Sequence, residues 1–146
     1  MKRDEHGQVT LLIIGFASIL LMAIVVVVDA SAAYLQRQGL DNLADGAALH
    51  GADLGSAGIY EQGLDDERLT QQEAAVEAAV RDYLVRAGAP ATYPGIDVGV
   101  RVDPVNRSVT VRLSAPLDLP LRIPGSPRSP TVAASSTAAV TVQPAS

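Results

Sequence analysis

From Val9 to Val28 the chain reads VTLLIIGFASILLMAIVVVV, with apolar residues on every side of any helix it could form. No charged side chain occurs between Gly7 and Val28. Twenty residues at ~1.5 Å each cover ~30 Å, the hydrocarbon thickness of a bilayer. Thr10, Gly15 and Ser18 interrupt the run, and a helix in lipid tolerates them because its backbone is already paired. A small domain has too little surface to wrap such a helix all round. The pattern therefore predicts a transmembrane helix over residues 9–28, preceded by a short cytoplasmic tail, residues 1–8.

Residues 29–55 keep a helical period but change in character. At 100° per residue Ala33, Leu40, Ala44, Ala47 and Gly51 fall on one narrow face, and Ala44, Ala48 and Ala52 repeat every four residues. Gln38, Asp41, Asn42 and Asp45 fall towards the other side. A face of small residues lets another backbone come close. Ala33, Leu40, Ala44, Ala47, Ala48 and Gly51 are thus candidate helix-packing residues, either between subunits or against the chain's own outer domain. Gly39 and Gly46 each cost about 1 kcal/mol relative to alanine, so this helix needs support from packing. Asp29 ends the apolar run and, with Gly7 at the other end, is read as a membrane boundary. Asp41 and Asp45 lie one turn apart, but two carboxylates alone make a poor cation site and read as solvated surface.

Glycines 51, 55, 58 and 63 suggest a flexible connector, taken as residues 56–69. Thr70-Gln71-Gln72-Glu73 matches a capping box, and Val76, Val80, Tyr83, Leu84 and Ala87 continue at helical spacing. Gly88 and Pro90 then supply a stop, which predicts a helix over 70–87. Glu77–Arg81 and Asp82–Arg86 stand four apart in the favourable order. After Pro94 the period becomes 2. Pairing Val102 with Val109, Val100 with Val111 and Val98 with Leu113 puts all six on one face, with Pro104-Val105-Asn106-Arg107 as the loop. Pro116, Pro120 and Pro124 make the next stretch an edge or an extended wrapping arm, and Pro124-Gly125-Ser126-Pro127 a turn. A last strand is predicted over 131–142, with Val132, Ala134, Ala138, Val140 and Val142 on one side. The fold class is α+β: a membrane helix extended outward, then an amphipathic helix packed on a three-stranded antiparallel sheet (strands 96–103, 108–115 and 131–142) within an outer domain of residues 70–146.

Composition narrows the function. The 146 residues include no cysteine, no tryptophan and two histidines, and the net charge is −5. Disulfides, thiolate metal sites and a cysteine nucleophile are excluded, and nothing offers a basic footprint for nucleic acid. His6 and His50 fall in different segments, and no HExxH, phosphate loop, dinucleotide fingerprint or GxSxG is present. Ser126, Ser129, Ser135 and Ser136 have no histidine beside them in sequence. The chain reads as a non-enzyme with no cofactor and no metal. Lys2 and Arg3 against a lone Arg37 beyond the run predict an amino terminus in the cytoplasm and residues 29–146 outside. The competing reading is a secretory signal cut after Ala32, at the small-x-small triplet Ala30-Ser31-Ala32. Its h-region would be longer than usual and its n-region carries Asp4 and Glu5. Residues 53–82 are mainly acidic and residues 97–128 mainly basic, a polarity that reads as two solvated surfaces or as an orienting device for neighbouring copies.

The order of features from Gly7 to Asp53 carries a resemblance. A glycine precedes the apolar run, Asp29 ends it, and Leu35-Gln36-Arg37-Gln38 follows. The small-residue cluster Leu43-Ala44-Asp45-Gly46-Ala47-Ala48-Leu49-His50-Gly51-Ala52 comes next. This resembles the TadG-like amino-terminal region of the tight-adherence (Flp) pilus-assembly family, related to its TadE-like pseudopilins. The resemblance implies a single-pass membrane protein, exposed outside, that works with other pilus-assembly or secretion proteins; the small-residue face adds self-association as a candidate contact. Pilins cut by a prepilin peptidase usually carry a Glu five residues after the cleaved glycine; here that position is Leu12. An uncut, anchored accessory component fits this departure. A membrane-anchored or secreted binding module, capturing a ligand or peptide at a sheet edge, is the alternative from another class.

Overall fold

One helix, α1, runs unbroken from Glu5 to Ile59 in the computed structural model, which describes residues 5–59, 66–121 and 130–139. Its 55 residues contain no proline. At ~1.5 Å per residue the helix is ~80 Å long, far more than any bilayer needs. Residues 8–24 are exposed on every side, whereas burial begins further on, and Leu40, Ala44, Ala47, Ala48, Gly51 and Ala52 are buried. The rod therefore has an unwrapped apolar portion and a portion that serves as the core of a folded domain.

α2 (Asp66–Arg86) follows, then the single turn α3 (Ala89–Thr92). Both helix boundaries around the expected connector differ from the sequence reading. α1 continues through Gly55 and Gly58 to Ile59. α2 begins four residues before Thr70, which therefore lies inside the helix. The carboxyl end is as expected: Gly88 has φ +72°, a conformation a side chain would strain, and its N–H donates to the Val85 carbonyl at 3.0 Å. The two i,i+4 pairs form, Arg81–Glu77 at 2.7 Å and Arg86–Asp82 at 2.9 Å, both exposed.

The sheet comprises β1 (Asp97–Asp103), β2 (Ser108–Pro116) and β3 (Thr131–Ala139), antiparallel in the order β1-β2-β3. The register is the one the alternating valines require: Val98 opposes Leu113, Val100 opposes Val111, and Val102 opposes Val109. Ala134 faces Leu113 and Ala138 faces Val109 in the second pair. The expected continuation of β3 through Val140 and Val142 lies outside the described residues, as do Ile123 and the turn at 124–127. The β1–β2 loop is locked by Asp103, whose carboxylate accepts N–H bonds from Val105 and Asn106 at 3.0 Å and from Asn106 Nδ2 at 2.8 Å. Arg107 closes the loop at φ +50°, in the left-handed region.

Sequence reading lays the amphipathic helix on the sheet. In the structure α1 takes the greater share of that face, lying against β2 and β3, while α2 packs on α1 and β1. The reason is side-chain size. β3 offers Ala134 and Ala138 and α1 offers Ala44, Ala47, Ala48 and Ala52, so that helix can approach closely. The larger Val76, Val80 and Leu84 of α2 fill the wedge beside it. The core thus runs through three elements: the seat on α1, one stripe of α2, and the inner face of the sheet.

Candidate functional site

The chemistry-bearing features gather on α1, so the site is built along that helix. The seat residues Leu40, Ala44, Ala47 and Ala48 are completely shielded from solvent within this one chain, and Ala33 is half-buried at the margin. Sequence reading left open whether this face meets another subunit or the chain's own domain; in the structure it is filled from within. A Cβ placed on Gly51 would stand 3.0 Å from Val80 Cγ2, 3.2 Å from Val109 Cγ1 and 3.3 Å from Val76 Cγ1. Gly39 and Gly46, which looked only like helix weaknesses, are notches. The hydroxyl of Tyr93 sits against Gly39 and the ring and hydroxyl of Tyr83 against Gly46. Their seven-residue spacing places them on one side of the helix, and that spacing was the available signal.

A second feature was not legible in advance. The chain leaving β2 runs back along α1 towards the apolar run. Gln36 grips it at two points: its Nε2 donates to the Pro116 carbonyl at 2.7 Å, and its Oε1 accepts the Asp118 N–H at 3.2 Å. Asp29, seven residues earlier, accepts the Leu121 N–H through Oδ1 at 3.1 Å. The Leu117 N–H donates to the Pro130 carbonyl at 2.7 Å, which ties the two ends of this excursion together. Asp29 is therefore half-buried beneath an arm of the folded domain. Gly7 lies in the first turns of α1.

Chemical potential elsewhere is slight. Among the described residues no group of three or more His, Asp or Glu could hold a metal ion, and no buried side-chain polar atom lacks a partner. His50 stands beside Tyr83, ring centroids 5.6 Å apart, and its Nε2 lies 3.3 Å from Arg86 Nη2. Arginine carries only donors, so Nε2 accepts, and the pair links the exposed rim of α1 to α2. The Asp103 carboxyl is held below its ordinary value, chiefly by the N–H of Asn106 and then by that residue's side chain, but it serves the hairpin turn.

The portion of the chain that carries these features is α1, with its unwrapped apolar part, its polar grips and its notched seat. Residues 7–54 match the Tad family model, "Putative Flp pilus-assembly TadE/G-like". The match covers about a third of the 146 residues and contains Asp29, Gln36 and every seat residue from Ala33 to Ala52. It ends before α2 and the sheet. No curated protein and no solved structure matches the chain. The Tad match supports a role related to Flp pilus assembly and suggests a structural rather than a catalytic component. The candidate membrane-spanning helix beginning at Gln8 fits membrane association.

Proposed function

We propose that this protein is a non-enzymatic, membrane-anchored component of a Tad/Flp-type pilus assembly or secretion apparatus, acting by subunit packing. One observation carries the reading. The same unbroken helix is apolar and uncovered over residues 9–24, long enough for most of a bilayer, and then becomes the seat of a folded domain. An uncovered apolar helix of this length in water would be an aggregation hazard, whereas in lipid it is an anchor. Lys2 and Arg3 favour an amino terminus in the cytoplasm and an outer domain beyond the membrane. Because the seat is occupied from within, subunit contacts fall to what α1 leaves uncovered beyond the membrane level, including Leu49 and Leu54.

Two measurements test this. The full-length chain should stay with membranes through alkaline carbonate washing, and protease added outside the cell should digest residues beyond Asp29. Deleting the gene should remove surface fibres or secretion through the same apparatus. A full-length chain in the soluble fraction would refute the anchor. Intact fibres with loss of a single bound ligand would instead establish the binding-module alternative.

A further inference from the structure

The arm that leaves β2 comes down α1 to the point where the apolar run stops. Asp29 directly follows Val28, so the hydrogen bond from the Leu121 N–H to Asp29 Oδ1 fixes the Leu121 backbone at that level. The grip at Gln36 lies seven residues, or ~10 Å, further from the span. Between these two grips the arm is held against the same side of the helix. Leu121, the last described residue of the arm, keeps its side chain 40% exposed.

The chemistry of the contact suits a place where water thins. An unpaired carboxylate beside lipid is costly, and so is an unpaired backbone N–H. The Leu121 N–H finds its acceptor in Asp29, and the carboxylate gains one hydrogen bond from it. On the opposite side of α1, Tyr34 is 67% exposed at ~7 Å beyond Asp29, within the depth of a headgroup layer and at the level where tyrosine is enriched. With Val27, Ala30, Ser31 and Leu35 it lines an open, largely apolar groove. Apolar surface therefore faces outward on both sides of the helix within about two turns of Asp29.

Resting on the anchored reading above, we propose that the arm is a second membrane contact. The Leu121 side chain enters the headgroup layer of the leaflet at the carboxyl end of the span, and the outer domain stands on the bilayer surface instead of away from it. The occupant of this surface is lipid, argued from its continuity with the span and from the polar bond that seals its edge.

The chain contains no cysteine, so single cysteines report cleanly. Ile19→Cys, Leu121→Cys and Val105→Cys would each carry a nitroxide label, in full-length protein reconstituted into phosphatidylethanolamine–phosphatidylglycerol vesicles. Val105, 88% exposed in the β1–β2 loop, is the aqueous reference. Collisions with oxygen, which prefers lipid, are compared with collisions with a water-soluble nickel chelate. At Ile19 oxygen should dominate and at Val105 nickel should. At Leu121 oxygen should exceed nickel. A Leu121 label matching Val105, with Ile19 still in lipid, would overturn this contact and leave the anchor standing. A label shielded from both probes would overturn it too, by placing protein there. A nickel-dominated Ile19 would end the anchored reading and this inference with it. Asp29→Ala in the Leu121→Cys background should raise nickel collisions at 121 towards the Val105 level, and no change would overturn the role given to Asp29.

Discussion

Replacing Gly51 by alanine tests whether α1 is the core of its own domain, because two effects oppose each other there with known signs. In an isolated helix the change is favourable by about 1 kcal/mol, since glycine is the poorer helix former. In the folded chain the new methyl would meet Val80, Val109 and Val76 at 3.0, 3.2 and 3.3 Å. All three valines are almost completely shielded and belong to two different elements, α2 and β2, so none has free space to retreat into. Forcing one extra carbon into such a ring costs about 1–3 kcal/mol. The net expectation is a loss of about 1 kcal/mol, or a fall of about 4–8 °C in Tm for a domain near 100 residues. Near-ultraviolet dichroism of the tyrosines in detergent micelles reads the melt, because Tyr83 and Tyr93 pack on α1. The decisive arm is the same change made beside Val80→Ala. With Cγ2 of Val80 gone the methyl has room, and Gly51→Ala should then stabilise that background. Stabilisation by about 1 kcal/mol in the otherwise native chain would refute the packing of α1 between α2 and β2.

Other outcomes follow from particular contacts. Arg107→Gly should raise stability by about 1 kcal/mol in the same melt, because it removes a left-handed conformation from a residue with a Cβ. Gln36→Leu deletes both grips on the arm and should cost about 1 kcal/mol, these bonds being exposed, with faster hydrogen exchange at the Asp118 amide as the local readout. The Asp103 carboxyl has a lowered pKa in the fold, so its contribution is complete above the ordinary carboxylate range and disappears as pH falls through the lowered value. Amide signals of Val105 and Asn106, followed by NMR during acidification, should shift with a midpoint below that of an unstructured aspartate. Glu77→Gln should change stability by no more than about 0.5 kcal/mol, since its pair with Arg81 is solvent-exposed.

What could be read from the chain depended on how local the determining physics was. The register of β1 and β2 was legible because one slip would turn every valine of a strand outward. The stop at Gly88 and the two ion pairs of α2 were legible because they lie within one or two helical turns. The start of α2 was not, since the capping-box pattern placed it at Thr70 while the helix begins at Asp66. The partner of the small-residue face was also hidden. Alanine at four-residue spacing states that something comes close, but Ala134 and Ala138 answer it from some ninety residues away. The grips at Gln36 and Asp29 were harder still, because their partners are backbone groups of the arm, which leave no mark in side-chain pattern. Pro120 did mark its segment as one that wraps instead of joining the ladder, and it runs along α1 as an arm, whereas Pro116 ends β2 opposite Thr131.

These contacts together couple the apolar part of α1 to the folded domain. A linker of glycine and serine between span and domain would let each turn independently. Here no such linker lies between them: α1 is continuous from Gln8 through Ala52, and the seat begins ~16 Å beyond Asp29. The stretch between is splinted on one side by the arm, through Asp29 and Gln36. Tyr83 and Tyr93, seated in the notches at Gly46 and Gly39, oppose rotation of the helix within its domain, as pegs would. A turn of the span about its own axis must therefore carry the sheet with it, or else break core packing. Bulky substitutions at Gly39 or Gly46 would evict a tyrosine and loosen this coupling without touching the apolar run. On the anchored, subunit-packing role proposed above, such a rigid joint would let contacts made by the apolar run within lipid fix the direction in which the folded domain faces.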